Sequence, residues 1–307
     1  MLRPGWIVVC VACGSSHHAG VAIDSAVGGE AAPDDGSASP ATCSGMQVQP
    51  LDATWTVAVA GAMRTAEVHV PASYDPTRAT PVVLDLHGRL GDGAQEAMLN
   101  GSIAKSDAEG FIVVHPESAT SPTSWNAGTC CDPASTDDVD DVGFISALLD
   151  QMQAQLCVDP DRVYAMGMSN GAYFSHTLAC ELGDRIAAIG PVAGLLLQSP
   201  CSPARPIPSL MVNGTADPLS EYQYVAPTVQ FWTDFNHCTT TATTYQNGVA
   251  TCVTHGGCDA GADVELCTIQ DGGHQWPGGE TLPLLGNNTN DLIATDAIWA
   301  FFVAHPR

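Results

Sequence analysis

The sequence contains very little positive charge. Its 307 residues include 9 lysines and arginines against 33 aspartates and glutamates, for a formal net charge of −24, and Lys105 is the only lysine. A surface with this balance repels polyanions. We therefore expect no nucleic-acid partner, and we interpret the acidic residues as a solvated, soluble exterior.

Long apolar runs are also missing, and no stretch approaches the roughly 18 apolar residues that span a bilayer. The chain begins with Arg3, a short apolar run over residues 6–12 and then Cys13, which is the order of an export signal. The segment "VACG" around Cys13 resembles a bacterial lipobox, although Cys10 stands where an aliphatic residue is usual. We expect lipidation and membrane anchoring at Cys13, and a cleaved secretory signal or a misplaced start codon is the alternative.

The segment from Gly14 to Ser44 has too few large apolar residues to pack a core. It consists mainly of Ser, Ala, Gly, Asp and Pro, a composition that cannot bury enough surface to fold. We expect a signal segment over residues 1–12, a flexible tether over 13–44 and one folded domain over 45–307. The segment "DLIATDAIWAFFVAHPR" has the apolar spacing of a closing helix, and we expect no second module after it.

Cysteine pairs with the CxxC spacing of metal sites are absent, and the adjacent Cys130 and Cys131 have poor geometry for one tetrahedral site. Of the 12 cysteines, ten remain once Cys10 and Cys13 are set aside. An even number favours five disulfides formed in an oxidising compartment, so we expect a secreted or cell-surface protein. The expected pairs are Cys180 with Cys201, Cys252 with Cys267, Cys238 with Cys258, Cys157 with Cys130 or Cys131, and Cys43 with the one left over.

The rest of the chain alternates between two periodicities. Short β-rich runs such as "PVVLDLHG", "GFIVVHPE", "RVYAMGM" and "IPSLMVNGT" are separated by stretches long enough for helices, such as "DDVGFISALLDQMQAQL". This alternation is typical of an α/β fold with a mainly parallel sheet and helices on both faces.

The segment "GMSNG" places Ser169 between a strand candidate and the helix candidate "SNGAYFSHTLACEL". A nucleophile elbow needs this context, because glycines on either side of the serine let the strand and the helix pass close to each other. A serine that only caps the helix is the alternative.

A serine nucleophile needs a base and an acid that orients the base. Asp217 follows the strand candidate "IPSLMVNGT", and His274 follows "VELCTIQ", so both lie just past strand ends. Proteins whose nucleophile lies on such an elbow carry their catalytic residues in the order Ser, Asp or Glu, His along the chain, and the order here is the same. The rival bases are His69, His115, His176, His237 and His255, and the rival acids are Glu221 and Asp234.

An acyl-transfer site also needs N–H donors for the oxyanion. We expect the N–H of Asn170, directly after the serine, to be the first. The second is expected in the turn "LHGRLGDG", from Arg89 or from Gly88. A plain tight turn is the alternative interpretation of this segment.

Several segments together resemble one family, namely "VHVPASYDPTRATPVVLDLHG", "SWNAGTCCDPASTDDVDDVGFISALLD", "CVDPDRVYAMGMSNGAYFSHTLAC", "NGTADPL" and "GGHQWPGG". They are similar to secreted polyhydroxybutyrate-depolymerase-like and feruloyl-esterase-like α/β-hydrolases, which are related to carbohydrate esterase family one. The resemblance covers about Ser44 to Arg307. It implies the triad Ser169, Asp217 and His274 and an esterase without metal or organic cofactor. Two residues depart from the family pattern: Arg89 replaces a small or uncharged residue, and Gln275 replaces a usual Thr.

Together with these residues, the resemblance implies a serine esterase that acts on soluble or polysaccharide-linked feruloyl, acetyl or short acyl esters, and we expect it to be a monomer. Trp276, Trp125 and His87 are expected to line its pocket. The alternatives are a polyhydroxyalkanoate depolymerase, a serine peptidase or lipase, and a binding module without activity. The acidic run at Asp137, Asp138, Asp140 and Asp141 lacks EF-hand spacing and precedes a helix, so we expect no calcium there.

Overall fold

The computed structural model describes residues 43–46 and 48–307. The strands are β1 (Asp52–Val59), β2 (Ala62–His69), β3 (Thr80–Leu86), β4 (Ile112–Pro116), β5 (Val158–Met168), β6 (Ala188–Val192), β7 (Ser209–Gly214), β8 (Thr240–Asn247), β9 (Ala250–Gly256) and β10 (Val264–Ile269). The helices are α1 (Gly93–Asn100), α2 (Ser102–Glu109), α3 (Asp141–Gln155), α4 (Asn170–Glu181), α5 (Val225–Phe235) and α6 (Ala294–Ala304).

All ten strands form one sheet in the order β1-β2-β4-β3-β5-β6-β7-β10-β9-β8. The central strands from β4 to β10 run parallel to each other. Antiparallel strands extend the sheet at both ends, with β1 and β2 on one side and β9 and β8 on the other. The carboxyl ends of the parallel strands therefore meet at one edge, where sheets of this kind place their sites.

The central parallel strands are mostly buried on both faces, which explains why their sequences are apolar runs rather than alternating patterns. One face carries a core that includes Phe144 of α3, Phe174 of α4 and Trp232 of α5. The opposite face carries a second core that includes Leu99 of α1 and Trp299 of α6. The predicted arrangement, a mainly parallel sheet covered by helices on both faces, is confirmed.

The β8–β9 hairpin is an element that the hydrophobic pattern did not predict as a unit. Every residue of β8 is exposed, so the strand shows no alternation between buried and solvent-facing positions. The turn residues Gly248 and Val249 lie between the two strands, directly after Asn247 at the end of β8, and an Asn-Gly pair between β-branched runs is a strong hairpin signal. This local signal could have found the hairpin.

Five disulfides join the ten cysteines of the described residues. The predicted pairs Cys180–Cys201, Cys238–Cys258 and Cys252–Cys267 are confirmed. The prediction for the other four is wrong, because the structure joins Cys43 to Cys157 and Cys130 to Cys131. Cys157 precedes β5 and accepts a hydrogen bond from Thr80 at the start of β3, whereas Cys131 donates to Trp125, beyond the carboxyl end of β4. The two cysteines thus lie at opposite edges of the sheet, which sequence order alone did not reveal.

Within the described part of the chain, no helix combines the length and the apolar content needed to cross a bilayer. The expected export signal with Cys13, and nearly all of the expected tether, lie outside the described residues.

Candidate active site

The turn between β5 and α4 carries Ser169 in a strained backbone conformation. Its φ of 55° and ψ of −119° lie where residues other than glycine are rare. A side chain on Gly167 or on Gly171 would collide with the backbone oxygen of Leu86 at the end of β3. The two glycines therefore allow the turn to close against β3, with the serine at the N-terminus of α4, as a nucleophile elbow requires.

Asp217 lies in the loop after β7 and its carboxylate is held by three N–H groups. Oδ1 accepts hydrogen bonds from the backbone of Leu219 at 2.7 Å and of Ser220 at 2.8 Å. Oδ2 accepts a hydrogen bond from Nδ1 of His274 at 2.8 Å. These bonds fix both oxygens of the carboxylate in place.

His274 lies in the loop after β10 and is almost fully buried, as is Asp217. Its backbone N–H donates to Leu285 at 2.7 Å, which holds the loop. Because a carboxylate only accepts hydrogen bonds, the proton of the imidazole is on Nδ1 and the lone pair is on Nε2. This is the tautomer that a general base needs for a serine.

Ser220 connects the loop of Asp217 to the helix that follows Ser169. Its Oγ donates to the carbonyl of Ala193 at 2.7 Å and so accepts from the hydroxyl of Tyr173, also at 2.7 Å. Tyr173 lies one turn into α4, and its N–H donates to the carbonyl of Ser169. The acid and the elbow are therefore linked by a short chain of buried hydrogen bonds.

The structure places Ser169, Asp217 and His274 beyond the ends of β5, β7 and β10, at one edge of the sheet. The hydrogen bonds of residues 48–307 include the contact between His274 and Asp217 but none between His274 and Ser169. In sites without substrate, such contacts often tighten only when the substrate binds.

The turn "HGR" after β3 lies against the elbow. A Cβ placed on Gly88 would be 3.5 Å from Cβ of Ser169. The N–H of Gly88 interacts with the buried carboxyl group of Glu96. In residues 48–307, the backbone hydrogen bonds of turns, loops and helix caps do not include one donated by the N–H of Asn170 or of Arg89. Neither of these two N–H groups is therefore used by the loop backbone of that part of the chain.

The three predicted pocket residues are buried, with 0% of the surface of Trp276, Trp125 and His87 exposed. The indole of Trp276 donates to Thr295 at 3.0 Å, and burial lowers the pKa of His87. None of the three presents a face to solvent in this structure. Trp125 and His87 contact each other beside the elbow, whereas Trp276 contacts Thr295 of α6.

The rival histidines are occupied elsewhere in the fold. Burial lowers the pKa of His176 to about 3, and its Nδ1 accepts a hydrogen bond from Trp232. The others contact different partners: His69 with Asp52, His115 with Asp85, His237 with Asp259, and His255 with Thr241. The rival acids Glu221 and Asp234 accept hydrogen bonds from nearby glutamines.

The acidic run before α3 has structural partners. Asp140 caps α3 by accepting from the N–H of Gly143 at 2.8 Å, and Asp141 forms an ion pair with Arg64. The described residues also bring Cys252, Glu265 and Cys267 close enough to share an ion. Those two cysteines form a disulfide, so neither offers the thiolate that binds a metal.

Two site features were not predicted from the sequence. Ser220 had a local signal, because an Asp followed by Leu and Ser in "DPLS" favours a turn in which the carboxylate accepts the next N–H groups. The side chain of Asn170, which binds Trp125, had none, because the two residues are far apart along the chain.

Residues 68–223 match the sequence model of a family described as Esterase PHB depolymerase, about half of the chain. The chain belongs to this family. The matched range includes Ser169 and Asp217 and ends before His274. The resemblance to depolymerase-like and feruloyl-esterase-like proteins is therefore confirmed.

Among its relatives, this member of the Esterase PHB depolymerase family is 31% identical over 221 residues to a bifunctional acetylxylan esterase/xylanase, XynS20E, of Neocallimastix patriciarum. It is 30% identical over 233 residues to feruloyl esterase B of Piromyces equi. These alignments cover 70% and 69% of this chain but only 31% and 42% of the two relatives. The chain thus spans less than half the length of either.

Among solved structures, the acetyl xylan esterase from Aspergillus awamori is similar with a TM-score of 0.59 at 15% identity. The match covers 73% of this chain and 94% of that one. At this identity the likeness concerns the fold alone, and it confirms the predicted α/β-hydrolase architecture.

Proposed function

We propose that this chain is a serine carboxylesterase with the triad Ser169, His274 and Asp217. The observation that carries the proposal is the buried hydrogen bond between Nδ1 of His274 and Oδ2 of Asp217, at 2.8 Å. It lies at the same sheet edge as the strained turn of Ser169. A histidine held in this tautomer beside an elbow serine fits acyl transfer.

In the proposed reaction, Nε2 of His274 takes the proton of Ser169 as Oγ attacks the ester carbonyl. Asp217 holds the imidazole and stabilises its charged form. The N–H groups of Asn170 and Arg89 donate to the oxyanion. His274 then protonates the leaving alcohol, which leaves the acyl group on Oγ of Ser169. Water attacks this acyl group as His274 takes its proton, and His274 returns the proton to Oγ as the bond to the acyl group breaks and the acid leaves. No cofactor takes part in any of these steps.

For the substrate, we propose soluble or polysaccharide-linked esters that carry feruloyl, acetyl or short acyl groups. The names of the two relatives, an acetylxylan esterase/xylanase and a feruloyl esterase, support this class. The family description favours a polyhydroxyalkanoate depolymerase as the second candidate. The strongly acidic composition offers little attraction to a neutral solid surface, which favours soluble esters over crystalline polymer.

We propose that the protein works outside the cytosol as a monomer. Five disulfides among the described cysteines support an oxidising compartment. Anchoring through a lipidated Cys13 is part of the same proposal and rests on the sequence around that residue.

The test is a substrate panel of short-chain nitrophenyl esters, methyl ferulate, acetylated xylan, a peptide and polymer granules, assayed with Ser169→Ala and His274→Ala. We expect each variant to lose ester turnover by about 10⁴-fold or more, because members of a triad act as a unit. Ser146→Ala is the matched control and should keep wild-type activity, because this half-buried serine of α3 binds Arg185 and none of the triad residues. Comparable turnover by Ser169→Ala would end the triad proposal, and rapid granule clearance with negligible hydrolysis of methyl ferulate would favour the depolymerase.

A further inference from the structure

Trp125 contacts both sides of the proposed oxyanion site. It lies in the segment between β4 and α3, and its side chain is fully buried. Its ring stacks on Phe174 of α4, with centroids 5.1 Å apart and planes 2° from parallel. The indole therefore has little freedom to move.

On the elbow side, the side chain of Asn170 binds the main chain of Trp125 at two points. Oδ1 accepts from the N–H of Trp125 at 2.6 Å, and Nδ2 donates to its carbonyl at 3.1 Å. An amide matched at both its donor and its acceptor has only one satisfactory orientation. The first residue of α4 is thus fixed to this segment.

On the other side, the indole N–H of Trp125 donates to the carbonyl of His87 at 3.0 Å. The same segment holds the turn at two further points, since Leu90 donates to Thr123 at 3.0 Å and the hydroxyl of Thr123 donates to Gly91 at 2.7 Å. The guanidinium of Arg89 donates to the carbonyl of Asp132 at 3.0 Å. The uncommon arginine at this position therefore ties the turn to the segment.

We propose that Trp125 is a positioning residue that sets the separation between the N–H groups of Asn170 and Arg89. It does so by binding Asn170 through its main chain and the turn after β3 through its indole. This inference rests on the proposed esterase function. Oxyanion donors work only when they meet the place where charge develops, so a change in their separation lowers kcat more than it weakens substrate binding.

The test replaces Trp125 with Phe, which keeps an aromatic ring and the main-chain contacts with Asn170 but removes the hydrogen bond to His87. Loss of one oxyanion donor costs about 10²- to 10³-fold in kcat. We expect a displaced donor to cost less, about 10- to 100-fold in kcat, with KM changed less than about threefold. Trp232→Phe is the matched control, because Trp232 is equally buried and its indole donates to His176 on α4 rather than to the turn.

A second readout separates positioning from general damage. An ester and its thiono analogue, in which sulfur replaces the carbonyl oxygen, differ mainly in how well they accept hydrogen bonds, since sulfur is a weak acceptor. The wild type and Trp232→Phe should strongly prefer the oxygen ester. We expect Trp125→Phe to lose about 10-fold or more of this preference, whereas damage to folding would lower both rates in parallel.

The outcomes distinguish the two proposals. If the wild type and Trp232→Phe hydrolyse no ester, the proposed function fails. If they are active and Trp125→Phe matches Trp232→Phe in kcat and in the oxygen-to-sulfur preference, the positioning role fails while the esterase stands. If Trp125→Phe does not fold, Asn170→Ala decides by the same preference, because it removes both contacts with Trp125 and keeps its own N–H.

Discussion

Glu96 is a buried acid directly behind the candidate site. Its side chain lies on α1 and only 3% of the residue is exposed, and Oε1 has no hydrogen-bond partner among the described residues. Burial raises the pKa of Glu96 well above its ordinary value, and the neighbouring Asp85 raises it further, while the N–H groups of Gly88 and Met168 oppose the shift. The folded protein therefore favours the neutral form of this carboxyl group.

This preference predicts a pH-dependent effect of Glu96→Gln. Above the ordinary pKa of 4.5, the unfolded chain loses this proton while the folded chain keeps it. The free energy of unfolding of the wild type therefore falls as the pH rises toward the folded pKa. Glutamine does not titrate, so the Tm of Glu96→Gln should exceed that of the wild type by about 2 °C or more near pH 8 and by less than about 1 °C near pH 4.

The matched control for Glu96→Gln is Glu109→Gln on the surface of α2. The hydrogen bond and ion pair with Lys105 lower the pKa of Glu109, so this substitution should give no gain in Tm as the pH rises. A Tm difference between Glu96→Gln and the wild type that stays constant between about pH 4 and pH 8 would contradict the shifted titration.

At single positions, the sequence allowed prediction only where a residue with the required chemistry also follows a recognisable strand. Ser169, Asp217 and His274 each follow a recognisable strand, so their order along the chain pointed to one edge of the sheet. Trp125 was expected in a pocket wall because large aromatic side chains often line pockets, yet it is buried. Its role depends on contacts with residues distant in sequence, which no local pattern encodes.

The ion pair between Arg64 and Asp141 ties α3 to the antiparallel edge of the sheet. Arg64 lies on β2 and its guanidinium contacts Asp141 at 2.7 Å, with 7% and 0% of the two side chains exposed. It also donates to the carbonyl of Glu117 and lies over the ring of Phe144 at 4.2 Å. Burial raises the pKa of Asp141, while the N–H of Asn126 at 2.8 Å and the charge of Arg64 favour its ionised form.

We expect Arg64→Met to lower the free energy of unfolding by about 3–5 kcal/mol, because it leaves a buried carboxylate without its partner. The double variant Arg64→Met/Asp141→Asn should be more stable than Arg64→Met alone, since it also removes the stranded charge. Denaturant titration at neutral pH measures both changes.

Arg307→Met is the control for this pair, because Arg307 contacts Asp161 in a more exposed ion pair, and it should cost about 1 kcal/mol or less. If the double variant is less stable than Arg64→Met, the destabilisation comes from lost packing around Arg64 rather than from the stranded charge.

Among the elements, burial decided which could be predicted. The mostly buried strands β3, β4, β5 and β7 were recognised from their apolar runs, and α3, α4 and α6 from their helical patterns. The β8–β9 hairpin was not recognised as a unit, because β8 is exposed on every residue and so lacks the periodicity on which the prediction relied. The Asn247-Gly248 pair at the end of β8 was the better indicator for that element.

For the described chain as a whole, composition predicted the class of fold but not the arrangement of its parts. Alternating strands and helices implied a parallel sheet, whereas the strand order places β3 between β4 and β5. That order determines which loops share an edge. It therefore also determines which cysteines can meet, and this is why Cys157 pairs with Cys43 instead of with Cys130 or Cys131.

Two of the five disulfides close loops of very different length, and comparing them tests how disulfides stabilise the described chain. Cys43–Cys157 joins residues 114 apart in sequence, and Cys180–Cys201 joins residues 21 apart. If each acts mainly by restricting the unfolded chain, a loop of about 100 residues is worth about 4.7 kcal/mol and one of about 15 residues about 3 kcal/mol.

We therefore expect Cys43→Ala/Cys157→Ala to lower the free energy of unfolding by about 1.5 kcal/mol more than Cys180→Ala/Cys201→Ala, measured without reductant. For ester turnover measured well below the Tm, we expect the opposite order. Cys180→Ala/Cys201→Ala should lose more activity than Cys43→Ala/Cys157→Ala. Cys180 lies in α4, the helix that Ser169 begins, whereas Cys157 lies before β5 at the edge of the sheet away from the candidate site. An equal or larger loss of stability on removing Cys180–Cys201 would show that strain or packing in the folded state, rather than the span of the loop, governs the contribution of these disulfides.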